Sequence, residues 1–164
     1  MQSQTYDLAN HNILPTKQKN NIMHTLIYLS ASSSLFSNEE IIDILNTSRA
    51  NNLQLDITGL LLYHEGSILQ ILEGEKEVIH ALFNKICLDG RHKSIIKLLD
   101  NDIKERNFAD WSMGFKQISN HDWSELKGYL DIDSGNELPQ IANSGSPQVI
   151  ALIRSFSNVN QLNI

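Results

Sequence analysis

The sequence predicts an α+β fold in which helices cover a single sheet. Short apolar runs of strand length alternate with two longer segments whose apolar residues recur at helical spacing. The resulting element order is β-α-β-β-α-β-β, which is typical of a ferredoxin-like sheet with both helices on one face. With 164 residues, 41% of them hydrophobic, the chain is long enough to bury the core of one domain.

The first strand and the first helix are predicted near the start of this domain. Residues 26–31 are rich in apolar side chains, as in a central strand that is covered on both faces. Ser37 and Glu40 have the spacing of a capping box, which begins a helix. We expect that helix to end at Asn51 and Asn52. One of its faces carries four residues at helical spacing: Ile41, Ile44, Leu45 and Ser48.

Two strands joined by a hairpin are predicted next, and a second helix follows them. The strands cover residues 57–63 and 68–72, and we expect Gly74 to end the second strand. The helix covers residues 75–88, and Gly90 is suited to a left-handed stop after it. Its apolar stripe consists of Val78, Ile79, Leu82, Phe83 and Ile86.

The patterns in the last part of the chain are weaker. Residues 94–99 and 111–117 are predicted as the fourth and fifth strands. Short C-terminal helices are predicted over residues 122–130 and 147–156. Because these helices are too short for a core of their own, we expect them to dock on the sheet or on another chain. Residues 1–22 are rich in Asn and Gln without hydrophobic periodicity, so we expect a disordered extension there.

Composition and charge exclude several classes of protein. No run of about 18 apolar residues is present, so we expect no membrane-spanning helix. The first 22 residues lack the apolar stretch of a secretory signal, and we expect a cytoplasmic protein. The net charge of −6 argues against direct nucleic-acid binding. Cys87 is the only cysteine, which rules out an internal disulfide, and its place on an apolar helical stripe predicts a core residue.

Two polar side chains stand where a packed sheet would carry Ile or Val. Tyr28 lies in the first apolar strand and Gln70 in the third. A buried phenol or amide without a partner costs about 1–3 kcal/mol, so each side chain needs one. For an isolated pair of this kind, mutual pairing or pairing with nearby backbone is as good an explanation as a functional role.

A ligand-binding groove is predicted above this polar pair. Strand alternation places Trp111 and Met113 on one face, which we expect to look toward the helices together with the pair. The walls of a groove between the helices would be Ile44 and Ile86. Such a groove suits a flat aromatic ligand, because apolar side chains cover its faces. Three amide side chains can bond the rim of the ligand: Asn51, Asn52 and Gln70.

Six sequence stretches resemble the BLUF family, which senses blue light using flavin. They follow the order of that family and span about residues 24–117. The stretches are LIYLSA (26–31), SRANN (48–52), ITGLLLY (57–63), LQILEG (69–74), DGRH (89–92) and RNFADWSMGF (106–115). Each stretch alone is weakly specific, whereas six of them in register are hard to obtain by chance.

The resemblance implies a noncovalent flavin between the two helices, usually FAD, with FMN as the other option. It implies that Tyr28 donates an electron and a proton and that Gln70 is the amide that switches. Trp111 and Met113 would relay the signal from the flavin site. The implied cofactor contacts also include Ile44, Ser48, Asn51, Asn52, Lys85, Ile86, Asp89, Arg91 and His92.

Three positions depart from the pattern of the family. Asp56 stands where Gly commonly precedes Ile-Thr-Gly, so the turn into the second strand is expected to differ. Ile68 replaces the usual Phe beside Leu-Gln, and Gly90 occupies a commonly polar position. None of the three removes a residue that the photochemistry needs, so we expect effects on tuning and lifetime.

The resemblance implies a blue-light photoreceptor that is not itself an enzyme. We expect a disordered extension over residues 1–22, a flavin-binding domain over residues 23–118 and a helical extension over residues 119–164. Residues 118–164 carry no cyclase, phosphodiesterase or DNA-binding signature. Output is therefore expected through protein contacts, either with a separate signalling protein such as a transcription regulator or within a homo-oligomer.

Parts of the sequence are compatible with other interpretations. The strongest is a BLUF-like interaction module that binds no flavin or has lost its photochemistry. A phosphate-binding hydrolase of ferredoxin-like fold would need a longer glycine-rich loop, and Arg49 and Arg91 are expected to be solvated. The six histidines lack metal-ligand spacing and are expected in surface or loop positions. Glu73 and Glu75 are expected in a solvated turn.

Overall fold

The computed structural model describes residues 22–117 and 146–160. The strands are β1 (Met23–Ser32), β2 (Thr58–His64), β3 (Ser67–Glu75), β4 (His92–Ile103) and β5 (Gly114–Gln117). The helices are α1 (Asn38–Gln54), α2 (Lys76–Cys87) and α3 (Pro147–Val159). The five strands form one sheet in the order β4-β1-β3-β2-β5, which confirms the predicted α+β class.

The pairing of β1 with β3 brings the two polar residues together. β1 is an interior strand and pairs antiparallel with both β3 and β4, while β2 pairs antiparallel with β3 and parallel with β5. In the β1–β3 ladder Tyr28 lies directly opposite Gln70. Residues that face each other in this way project their side chains from the same face of the sheet.

The sheet buries a different apolar cluster on each face. The first cluster joins the sheet to α1 and α2 and consists of Leu26, Tyr28, Ile41, Leu45, Ile57, Leu61, Tyr63, Ile68, Leu72, Ile79 and Met113. The second joins it to α3 and consists of Ile27, Leu60, Leu62, Leu69, Ile71, Phe108, Val149, Ile153 and Phe156. Burial on both faces explains why β1, β2 and β3 are mostly apolar. The prediction of a C-terminal helix docked on the sheet is thus confirmed.

The first helix begins as predicted and ends later. The Glu40 amide donates to Ser37 Oγ over 3.3 Å, and the Ser37 amide donates to Glu40 Oε2 over 2.7 Å, which completes the capping box. The helix continues to Gln54, so Asn51 and Asn52 lie within its last turns and do not end it. The Leu55 amide then donates to their two carbonyl oxygens.

Glycine and cysteine positions differ from expectation in three places. β3 continues through Gly74, where an added Cβ would lie 3.2 Å from the Asp56 carbonyl oxygen, so close packing and not a strand end requires this glycine. Gly90 has no left-handed φ; among the described glycines only Gly66, in the hairpin turn, has one, at 87°. Cys87, at the end of α2, is exposed and not a core residue.

Strand lengths also differ from the prediction. β4 covers twelve residues, which is longer than expected, whereas β5 begins only at Gly114. The expected extension over residues 1–22, except for its last residue, and the expected helix over residues 122–130 lie outside the described residues. Across the two described ranges, no helix is both long and apolar enough to cross a membrane.

Candidate functional site

A cleft opens between α1 and α2 above the middle of the sheet. The empty volume of the cleft is about 990 Å³, part of which is open to solvent. Its lining contains ten of the residues that the family resemblance implied: Ile44, Ser48, Asn51, Asn52, Gln70, Lys85, Ile86, Asp89, Arg91 and His92. Further lining residues include Phe36, Tyr63, Ile68 and Leu82. The cleft combines apolar walls with amide and charged groups, which is typical of sites for organic ligands.

The floor of the cleft holds a buried hydrogen bond between two side chains. The Tyr28 hydroxyl donates to Gln70 Oε1, and both residues are buried. Tyr28 lies behind Gln70, with its ring packed against Phe83 and His92. The Gln70 amide nitrogen lies 3.8 Å from the Met113 sulfur. The two polar residues are therefore each other's partners, and Gln70 connects Tyr28 to the cleft.

The environment of Tyr28 fixes the orientation of this pair. Burial raises the pKa of its phenol far above the ordinary value, and the nearby Cys87 and Asp89 raise it further. The phenol therefore keeps its proton and acts as the donor. A donated O–H requires the carbonyl end of the Gln70 amide at Tyr28, which leaves the NH₂ end for Met113.

Charged groups lie at the rim of the cleft, in the connection from α2 to β4. Arg91 Nη2 lies 2.6 Å from Asp89 Oδ2, and the Arg91 amide also donates to the same carboxylate. The hydrogen bond from Arg91 lowers the pKa of Asp89 to about 2. The nearby His92 Nδ1 lies 2.9 Å from Ser30 Oγ, and burial lowers the pKa of its imidazole.

The second half of α1 holds the segment that leads into β5. Asn52, which is buried, donates through Nδ2 to the Ser112 carbonyl oxygen over 2.7 Å. Arg49 Nε donates to the Met113 carbonyl oxygen over 3.0 Å. Arg49 was expected to be solvated, and this contact was missed. Arg49 stands three residues before Asn52, and residues three apart share a helix face, so this spacing could have indicated that both contact the same segment.

Trp111 and Met113 lie on opposite faces of the sheet, so the prediction that they share a face is wrong. Met113 is buried in the cluster beneath α1 and α2. Trp111 packs against Phe108, with ring centroids 5.7 Å apart, in the cluster beneath α3. Both residues precede β5, in a turned segment where the Trp111 amide donates to the Phe108 carbonyl oxygen. Strand alternation does not apply to such a segment.

Two predictions about groups outside the cleft are also wrong. His24 was expected in a surface or loop position, but it is buried within β1 beside Asp100. Glu73 was expected in a solvated turn, but its carboxylate is buried within β3. Glu73 accepts hydrogen bonds from the Asn107 side chain and the Phe108 amide.

The residues of the cleft fit a flavin. Ile44 and Ile86 offer apolar surfaces on the two helices that flank the cleft. The Gln70 and Asn51 amides can bond the polar edge of a flat ring system, and Lys85 and Arg91 can pair with phosphate. The model for the BLUF family, described as sensors of blue light using FAD, matches residues 23–114.

The chain belongs to the BLUF family. It is 37% identical over 90 residues to the photoactivated adenylate cyclase subunit beta of Euglena longa, covering 54% of this chain and 10% of that protein. It is 30% identical over 105 residues to the blue light- and temperature-regulated antirepressor BluF of Escherichia coli (strain K12), covering 64% and 26%. The chain thus spans about a quarter or less of these relatives.

A solved BLUF structure resembles most of the chain and matches over nearly all of its own length. The dark-state structure of the BLUF protein BlrB superposes with a TM-score of 0.59 at 30% identity, covering 85% of this chain and 98% of that one. The BLUF family consists of blue-light sensors that use flavin, so the fold, the cleft and the Tyr28–Gln70 pair belong to a sensor of this class.

Proposed function

We propose that this chain senses blue light through the Tyr28–Gln70 pair and passes the signal on through protein contacts. The observation that carries the proposal is the buried hydrogen bond from the Tyr28 hydroxyl to Gln70 Oε1, at the floor of a cleft that fits a flavin. Membership of the BLUF family supports the class of cofactor. The pair supports the chemistry, because a phenol that keeps its proton can still lose an electron and that proton together.

Residues of α1, α2 and the following loop would hold the flavin. Ile44 and Ile86 would cover its ring faces, and the amides of Asn51 and Asn52 would bond its polar edge. Of these, Asn52 already donates to Ser112, which orients its side chain. The remaining contacts would come from Ser48, Lys85, Asp89, Arg91 and His92. We propose FAD as the cofactor, because the family is described as using FAD; FMN would use the same ring contacts, and Lys85 and Arg91 could pair with the phosphate of either.

The proposed photochemistry involves no net oxidation or reduction of the chain. A bound flavin excited by blue light would supply an oxidant. Tyr28 would give that oxidant an electron and, along the hydrogen bond through Gln70, a proton, and would later regain both. During this excursion Gln70 is free to rotate or to change tautomer, because the donor that fixes its orientation is lost.

A reoriented Gln70 would change the bonds around Met113. With the amide turned, its oxygen faces the Met113 sulfur, which has no hydrogen to donate. Each hydrogen bond contributes about 1 kcal/mol net, and about 1.4 kcal/mol changes an equilibrium tenfold. The Met113 carbonyl oxygen is held by Arg49, so a displaced Met113 pulls on the segment that leads into β5. Trp111, in the same segment, would carry the change to the opposite face of the sheet.

We propose that the output is a contact with another protein and not a reaction catalysed by this chain. The antirepressor name of the Escherichia coli relative favours a transcription regulator as the partner. In this scheme residues 23–118 sense light, and residues 119–164, which include α3, extend the output surface. A light-dependent change in a homo-oligomer is the second form of the same output. Comparing partner binding and size-exclusion profiles in darkness and under blue light tests both forms.

The decisive experiment compares three variants of the flavin-loaded protein. Tyr28→Phe and Gln70→Leu should each retain bound flavin and lose the reversible red shift of the flavin absorption after blue light. Tyr63→Phe is the matched control: Tyr63 lines the same cleft, but its hydroxyl accepts from the Phe36 amide and not from Gln70. It should keep the shift.

Two results would contradict the proposal. A normal shift in Tyr28→Phe or in Gln70→Leu would remove the switch from this pair. A wild-type protein that binds flavin without any shift would be a silent interaction module.

A further inference from the structure

Two histidines and an aspartate converge on one point outside the flavin cleft. His24 lies in β1, His80 in α2 and Asp100 in β4. Their nitrogen and oxygen atoms all lie within 4.8 Å of one another. Asp100 Oδ1 is 2.5 Å from His24 Nε2 and 2.8 Å from His80 Nε2. Three separate elements thus direct donor atoms to the same place.

The three residues form a site with a closed side and an open side. His24 is 1% exposed, whereas Asp100 and His80 are 23% and 39% exposed. The two imidazole rings are nearly perpendicular, with centroids 5.1 Å apart. A small ion can therefore enter from the His80 side and meet His24 at the bottom of the site.

A second carboxylate orients the buried histidine. Asp102 Oδ1 lies 2.9 Å from His24 Nδ1, where it accepts the proton of that nitrogen. When Nδ1 carries the proton, the lone pair of Nε2 is available to a metal ion beside Asp100 Oδ1. Carboxylate–histidine pairs of this kind also orient the histidine ligands of metal ions.

We propose that His24, His80 and Asp100 bind a late first-row divalent cation, of which Zn²⁺ is the representative. Zn²⁺ takes histidine nitrogen and carboxylate oxygen ligands at about 2.0–2.2 Å in a tetrahedral arrangement. Such ligands lie about 3.3 Å apart, so the two pairs formed by Asp100 Oδ1 with His24 and His80 need to open by less than about 1 Å. His80 and Asp100 are partly exposed and can make this adjustment. The fourth position faces solvent.

Neighbouring lysines leave the proposed ligand atoms free. Lys97 Nζ bonds Asp100 Oδ2, the oxygen that does not face the histidines. Lys76 Nζ lies 3.4 Å from Asp102 Oδ1 and supports the carboxylate that orients His24. The competing explanation is that both imidazoles donate N–H groups to Asp100 Oδ1, which can accept two hydrogen bonds. Titration with Zn²⁺ distinguishes the two explanations.

The test is a titration of the full chain with ZnCl₂ after removal of metals by a chelator. Isothermal titration calorimetry should show one equivalent of Zn²⁺ per chain. Because metal binding releases protons that the buffer takes up, the measured heat should differ between buffers. Zn²⁺ should also raise the thermal unfolding midpoint, because only the folded chain assembles the site. Mg²⁺ should not compete, since it prefers oxygen ligands.

Variants assign the binding to these residues. Asp102→Asn should weaken Zn²⁺ binding about 10- to 100-fold, as the loss of an orienting carboxylate does elsewhere. His80→Ala should weaken it at least as much, and its exposed position keeps the folding unaffected. His64→Gln, which removes a histidine outside the site, should bind as the wild type does. The proposal is overturned if the wild type binds no Zn²⁺, if Mg²⁺ competes equally, or if His80→Ala binds Zn²⁺ unchanged.

Discussion

The Gln70 amide nitrogen lies 3.8 Å from the Met113 sulfur. Met113 is therefore the side chain at the donor end of the amide, while Tyr28 occupies the acceptor end. Trp111, two residues earlier, lies on the other face of the sheet against Phe108. A change at Gln70 consequently reaches Met113 directly and reaches Trp111 only through the backbone between them.

Met113→Leu should slow the return to the dark state and leave the red shift in place. Leu has a similar volume and no acceptor, so the restored orientation of Gln70 loses a weak hydrogen bond worth roughly 0.5–1 kcal/mol. When the activation free energy of dark recovery rises by this amount, recovery slows about two- to fivefold. Absorption in the dark after a blue pulse measures the rate. Trp111→Phe is the control and should recover at the wild-type rate; a larger effect there than in Met113→Leu would contradict the assignment.

Arg49→Met should destabilise the fold without removing a contact to the ligand. The variant keeps the aliphatic stem and loses the donor to the Met113 carbonyl oxygen. Arg49 Nη2 is buried and has no hydrogen-bond partner among the described residues, so its removal offsets part of that loss. We expect the free energy of unfolding to fall by about 1 kcal/mol. Urea unfolding measures it, with the exposed Arg154→Met on α3 as the control. Equal losses in both variants would contradict a specific role for Arg49.

Local patterns predicted the part of the site that depends on strand geometry. Tyr28 and Gln70 each stand as a polar residue on an apolar strand, and strand alternation assigns each a face; the pairing of β1 with β3 then brings them together. The same logic failed for Trp111, because β5 begins only at Gly114 and the preceding turn breaks the alternation. A strand boundary that shifts by a few residues is enough to reverse the face of a side chain.

Contacts between distant residues could not be predicted from the sequence. The burial of Glu73 depends on Asn107 and Phe108, more than thirty positions later, and a carboxylate beside Gly74 resembles an exposed turn. His24 meets Asp100 across 76 positions, which no histidine spacing could indicate. The C-terminal helix was recognisable from its apolar stripe, whereas the face of the sheet that it covers follows from the fold alone.

Asp56→Gly should be more stable than Asp56→Ala by about 1 kcal/mol. Asp56 has a φ of 52°, in the left-handed region that favours glycine. Both variants lose the ion pair between its exposed carboxylate and Arg106, and such pairs contribute little. Arg106 keeps its bond to the residue 56 carbonyl oxygen in either case. Urea unfolding of the two proteins gives the difference. Equal stability would show that the turn carries no backbone strain.

A buried carboxylate links β3 to the start of α3. Glu73 accepts from the Asn107 side chain and the Phe108 amide, and Asn107 Oδ1 accepts from the Ser146 amide over 2.6 Å. Burial raises the pKa of Glu73 above its ordinary value of 4.5, although these hydrogen bonds oppose the rise. Glu73 is therefore a titrating group within the contact between the sheet and the C-terminal helix.

Stability should fall as pH rises above 4.5 because of Glu73. In that window the folded chain keeps the proton of Glu73 while the unfolded chain has lost it, so the folded state binds more protons. The free energy of unfolding then decreases with increasing pH. Glu73→Gln removes this titration. The amide of the variant has one acceptor oxygen where the carboxylate has two, and the resulting loss of stability does not depend on pH. The wild-type value minus the variant value should therefore decrease from pH 4.5 toward neutrality.

Urea unfolding of both proteins across this range measures the difference. Glu105→Gln, an exposed carboxylate in the connection before Asn107, controls for the loss of one acidic group. A difference between wild type and Glu73→Gln that stays constant or grows with pH would mean that the carboxylate is ionised at no cost. Asn107 and the Phe108 amide would then compensate fully for its burial, and protonation of Glu73 would have no influence on the docking of α3.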